Sequence, residues 1–142
     1  MLDTRPIAEL WPYAKAALAV GGYFRLWPRG TSMLPLLREG RDSVLLAKPE
    51  RLTVGDIVLA RTADGRFLLH RIIALTEETV ILAGDALLTT EGPMPKSAIL
   101  AYAVRLFRDE EEIDPRSPRM RCYARRRALR RRVLRLLRKP IK

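Results

Sequence analysis

A single histidine, His70, and a single cysteine, Cys122, are all that the chain offers in imidazole and thiol groups. One cysteine cannot close an internal disulfide and suits a reducing compartment. One histidine excludes most zinc and iron constellations, so neither a metal nor a cofactor is expected. No apolar run approaches the roughly 18 residues of a membrane span; the stretch from Ala14 to Gly22 is short and contains Lys15. The opening Met1-Leu2-Asp3-Thr4-Arg5-Pro6 lacks the basic start and unbroken apolar run of an export signal. The expectation is an unexported chain without signal peptide or transmembrane helix, either cytoplasmic or peripheral on the membrane.

Acidic residues are missing from one region only. Of 27 basic residues, eleven Arg and two Lys lie from Arg116 onward, where no acid balances them. The remaining fourteen face sixteen acidic residues, a net of −2. The overall +11 therefore describes a nearly neutral domain with a basic appendage. At 142 residues and 48% apolar content, the chain can bury one core. The division expected is a domain over 1–113 and a basic amphipathic tail over 114–142.

Residues from Pro6 to about Val20 read as a helix, with Thr4 available as N-cap and Gly21-Gly22 as the stop. Pro12 predicts a kink or a fresh start there. Tyr23 to Trp27 reads as a short strand. Five more apolar, β-branched runs follow: Ser43–Lys48, Asp56–Thr62, Phe67–Ala74, Thr79–Ala83 and Ala98–Phe107. Asp64-Gly65 is a hairpin signal and Glu77-Glu78 another turn. Several runs are apolar on both parities, which predicts a sheet covered on both faces. The fold class expected is α+β, mainly β, with a coiled antiparallel sheet. Asp109 to Asp114 reads as an acidic connector. Ser117-Pro118 then opens a helix to Arg138, about 30 Å long. In it Leu129, Val133, Leu136 and Leu137 form an apolar stripe among arginines. Because the expected sheet ends before this helix, truncation after Ile113 should leave the domain folded.

Three segments carry chemistry: Gly30-Thr31-Ser32-Met33-Leu34-Pro35, Leu69-His70-Arg71-Ile72 and Ala83-Gly84-Asp85. Each also has a plain reading: Ser32 as a cap of a helical turn, His70 as a satisfied core histidine, Gly84-Asp85 as a turn. Together they supply an acyl-transfer site. A serine hydroxyl needs a neighbouring base to become a nucleophile, and His70 can serve near neutral pH. A carboxylate such as Asp85 can fix the imidazole tautomer. Glycine before the serine leaves backbone amides free for an oxyanion.

The segment Gly30 to Pro35 resembles the serine box of type I signal peptidases. Arg38-Glu39-Gly40-Arg41-Asp42-Ser43-Val44 and Val54-Gly55-Asp56-Ile57-Val58 resemble the two glycine-aspartate steps that follow it. Leu69-His70-Arg71-Ile72-Ile73 is similar to the histidine-arginine box of the archaeal and endoplasmic-reticulum branch, which uses histidine where bacterial signal peptidases and LexA-type repressors use lysine. Gly84-Asp85 matches the start of that branch's glycine-aspartate-asparagine box. The boxes run collinearly over about half the chain, Gly30 to Val104, in the manner of short, anchorless bacterial members of this clan. The resemblance implies a serine endopeptidase of the signal-peptidase and LexA fold, working through an acyl-enzyme. It makes Ser32 the nucleophile, His70 the base, Asp85 the histidine's orienter or nearby support and Glu91, six positions on, a lower-ranked candidate, and it leaves open which of the two carboxylates touches His70. Gly30, Thr31 and Met33 would form the oxyanion and substrate loop, and an extended precursor or leader peptide the substrate. Two departures stand out: Ala86 replaces the asparagine, and Gly30 lacks the hydroxyl that assists the oxyanion hole in bacterial signal peptidases. The amide of Ser32 would have to act there with another backbone donor.

The basic helix has three readings: a solvated helix whose leucines dock on its own domain, an interfacial helix on anionic lipid, or a nucleic-acid contact, for which only Tyr123 could stack on a base. A rival reading of the whole chain is a catalytically inactive peptidase-fold module that binds membrane or nucleic acid through this tail. A self-cleaving regulator of the LexA kind is a further rival, weakened because the base position is not lysine.

Overall fold

The computed structural model describes residues 5–138, leaving Thr4, the expected N-cap, outside the described residues. Helix α1 spans Ile7–Ala19 and runs on through Pro12, whose place in the second turn removes only the hydrogen bond to the carbonyl of residue 8. The helix buries Leu10, Ala14 and Leu18, a stripe at i, i+4 and i+8. It stops where expected. Gly21 and Gly22 donate back to the carbonyls of Leu18 and Ala17 at 3.0 and 2.9 Å, and Gly21 takes a φ of +78° that favours glycine.

Eight strands follow: β1 Phe24–Leu26, β2 Ser43–Ala47, β3 Ile57–Arg61, β4 Phe67–Leu75, β5 Thr79–Ala83, β6 Glu91–Pro95, β7 Ile99–Arg108 and β8 Glu111–Ile113. They form one sheet in the order β1-β2-β7-β3-β4-β5-β6, with β8 on β7, and every pairing is antiparallel. The molecule is thus α+β, mainly an antiparallel sheet with an N-terminal and a C-terminal helix. The Asp64-Gly65 hairpin closes with Gly65 donating to Thr62 at 2.9 Å.

Two strands escaped the sequence patterning. Strand β6 carries Gly92, Pro93 and Pro95, which argue against a central strand; it lies at the sheet's edge, where missing donors are tolerated. Strand β8 falls inside the expected acidic connector. Its Glu111 and Glu112 are exposed while Ile113 turns into the core.

The central strand β3 explains the double-sided apolar pattern. Ile57 and Leu59 enter one core with Leu37, Val44, Leu46, Ala101 and Leu106, while Val58 and Ala60 enter a second with Ile72, Val80, Leu82 and Ile99. All four β3 residues are fully buried.

Helix α2, Pro118–Arg138, begins as expected, with Ser117 Oγ accepting from the amide of Met120 at 3.3 Å. It is no loose appendage: Met120 belongs to the main core and Tyr123 packs against it. Its lead-in is fastened by Arg116, which donates to both oxygens of Asp56 at 2.9 and 2.8 Å. Through Met120 and Tyr123 the start of α2 shares the main core with the sheet, against the expectation of a tail that could be removed freely; the leucines expected to dock, Leu129, Val133, Leu136 and Leu137, are exposed instead.

Candidate active site

Ser32 sits in the turn that follows β1. Gly30 enters it with a φ of +84°, a left-handed conformation that side-chain-bearing residues avoid. Met33, Leu36 and Leu37 then bury their side chains in the main core. The amides of Leu34 and Leu37 donate to the carbonyls of Thr31 and Met33 at 3.1 and 3.0 Å. Ser32 is thereby held half-buried on an anchored turn, its neighbours on one side exposed and on the other in the core.

The Gly84-Asp85 turn packs directly on this loop. Ala86 donates its amide to the carbonyl of Ser32 at 2.9 Å. A Cβ on Gly84 would stand 2.7 Å from that carbonyl oxygen and 3.0 Å from Ser32 Cβ, so the close approach requires glycine.

His70 lies on β4, opposite Val58 of β3. With Ser32 it lines a cavity of about 280 Å³, whose walls include Leu26, Trp27, Met33 and Leu69. The histidine is buried, and its Nδ1 has no hydrogen-bond partner among the described residues. Burial lowers its pKa below the ordinary 6.5, against an opposing pull from Glu91 and, more weakly, Asp85. The imidazole is therefore held toward its neutral, basic form.

The structure reassigns Asp85. Both its carboxylate oxygens are taken by Arg71, at 2.8 Å from Nε and 2.7 Å from Nη2, and both side chains are almost wholly buried. Arg71 also donates to the carbonyl of Gly55 at 2.9 Å. Of the two roles expected of Asp85, direct orientation of His70 is thus corrected and nearby support is left: neighbouring strand residues point to opposite faces, and Asp85 pairs with Arg71 rather than His70. Glu91 does not reach Nδ1 either; it pairs with Arg66 at 3.5 Å near the sheet edge. Both carboxylates raise the histidine's pKa through space, Glu91 more than Asp85.

Two arginines that patterning had not singled out join Arg71 in shaping this site. Arg127 donates to the carbonyl of Asp85 at 3.2 and 2.8 Å through Nε and Nη2. Arg131, itself buried, donates to the carbonyls of Leu87 at 3.1 Å and Gly84 at 3.3 Å. With Arg71 they clamp the turn that backs Ser32, from the sheet on one side and α2 on the other. The only sequence signal was Arg71 itself, adjacent to His70; Arg127 and Arg131 are lost among nine other arginines of the tail.

The aspartates of the two glycine-aspartate steps are fasteners. Asp42 accepts the amides of Arg38 and Asp109 at 2.7 and 2.8 Å; Asp56 accepts that of Thr53 at 2.8 Å besides holding Arg116. Burial pushes the Asp42 carboxyl up, but the hydrogen bonds from Arg41 and these amides outweigh it and leave its pKa lowered. Among the described residues no helix is long and apolar enough to cross a membrane. Compared with models of protein families, with curated proteins and with solved structures, the chain matches none.

Proposed function

We propose that the chain is a serine endopeptidase of the signal-peptidase and LexA kind, cleaving a peptide bond through a Ser32–His70 dyad and an acyl-enzyme. The observation that carries this reading is that two residues 38 positions apart line one cavity. A buried imidazole held toward its neutral form is the base such chemistry needs. His70 accepts the Ser32 proton as Oγ attacks the scissile carbonyl, and returns it to the leaving amine. A water activated by the same imidazole then releases the acyl group. The amide of Ser32 and a second backbone donor of the Gly30–Met33 loop stabilise the oxyanion. The substrate is an extended precursor or leader peptide whose side chains near the cut enter the apolar cavity. Asp85 supports the site without touching the reacting atoms, by keeping the Gly84 turn against Ser32.

Labelling with a fluorophosphonate probe tests the reading. The parent chain should be labelled, Ser32→Ala should be silent, and His70→Ala should fall to a similar residual rate, because members of one catalytic unit are non-additive. A folded parent chain that resists the probe would favour the inactive binding module instead.

A further inference from the structure

Helix α2 presents two opposite faces. Met120, Arg127 and Arg131, at i, i+7 and i+11, turn toward the sheet and are buried or hydrogen-bonded there. Leu129, Val133, Leu136 and Leu137 turn away and are 61, 46, 65 and 77% exposed. This inverts the usual arrangement, in which the apolar stripe docks and the charges face water. The helix is held to the domain by Met120 and these arginines, and Leu129, Val133, Leu136 and Leu137 stay largely exposed.

We infer that this outer face of α2 is a docking surface for an anionic phospholipid bilayer, on which the helix lies in the interfacial plane. Three features select that occupant. From Arg116 onward thirteen basic residues stand without an acidic one, so the partner is anionic. Four contiguous large apolar side chains have no use for a phosphate backbone but enter the acyl boundary of a bilayer, flanked by exposed Arg130 and Arg132 at headgroup level. A second copy of this helix would oppose arginine to arginine. The inference stands independently of the peptidase reading. It adds a geometric consequence: the face opposite the bilayer clamps the Gly84 turn behind Ser32, so the cavity is held at a fixed height above the lipid.

The test uses the full chain with phosphatidylcholine vesicles, with and without phosphatidylglycerol, followed by co-flotation. The exposed Cys122, one heptad before Leu129, carries an environment-sensitive dye. Binding should require phosphatidylglycerol, weaken with salt, and shift the dye emission to the blue. Arg130→Gln with Arg132→Gln should lower partitioning roughly twenty-five-fold, about fivefold per charge. Leu136→Ser with Leu137→Ser, both exposed and so tolerable to the fold, should lower it by about tenfold or more. Undiminished vesicle binding by the leucine variant would overturn the inference in favour of simple electrostatic adsorption. Salt-sensitive binding to an oligonucleotide with none to vesicles would overturn it in favour of nucleic acid. A dye shift that depends on protein concentration without lipid would identify self-association instead.

Discussion

Replacing Asp85 by Asn separates two roles that the same residue could play. As an orienter of His70 it would be dispensable for folding, and its loss would cost as much as about 10⁴-fold in turnover. As the counter-ion of Arg71 it is structural. Both side chains of the pair are almost wholly buried, and the guanidinium keeps the Gly55 carbonyl and the face of Tyr123, 5.7 Å from its centroid, as other partners. Removing one member of a buried pair leaves the other charge uncompensated, a loss of about 3–5 kcal/mol. That is at least about a fifth of the roughly 5–15 kcal/mol that holds a domain together. Urea denaturation should show a midpoint lowered accordingly, with unchanged slope. Arg71→Met combined with Asp85→Leu should recover most of the loss, since apolar replacement of a buried pair is often neutral. The recovery should be incomplete, because the Gly55 carbonyl then loses its donor, about 1–3 kcal/mol if it stays buried. An Asp85→Asn chain as stable as its parent yet unreactive to fluorophosphonate would refute this reasoning and restore the carboxylate to the catalytic unit.

Other consequences are open to measurement. Gly84→Ala places a Cβ against backbone of Ser32, so the loop must shift; a cost of about 1–3 kcal/mol and a clear loss of probe labelling are expected, and parent-like labelling would contradict the close approach. The acidic limb of the labelling rate should have its midpoint below 6.5, and Glu91→Gln should move it further toward acid, since Glu91 raises the histidine while burial lowers it; a shift toward alkali would show that Glu91 does not act on His70. Because the folded pKa is depressed, the unfolded chain takes the proton first: stability from His70 is full above about 6.5 and is lost as pH falls through the folded value. A His70→Asn chain should lack that part of the acid slope in urea midpoints. Truncation after Ile113 removes Met120 from the core and Arg116 from Asp56, and should destabilise by about 2–5 kcal/mol or more; an unchanged thermal midpoint would return α2 to the status of an appendage.

Much of the fold is legible locally. Strands β2 to β5 and β7 fall on runs whose residues are β-branched or apolar at strand length, and α2 begins at the Ser117-Pro118 signal. These features depend on near neighbours, which propensity and capping report directly. Strand β6 was hidden because proline is scored against strands, while an edge position excuses it. Strand β8 was hidden because three residues after a tight turn, with Asp109 at a φ of 59°, leave no period to read.

At the site, the sequence by its motifs brought forward Ser32, His70, the Gly84 turn and the two carboxylates, since glycine, serine and histidine in these settings have few roles. Partnership was decided only by the folded chain. Alternation along β4 puts His70 and Arg71 on opposite faces, but nothing local says which face Asp85 will meet. The periodicity of α2 likewise marks a leucine stripe and an arginine face without saying which one docks. Tertiary packing chose the arginines, because the Gly84–Leu87 turn brings carbonyls that need donors against α2, and Arg127 and Arg131 reach them. That choice left the leucines outside.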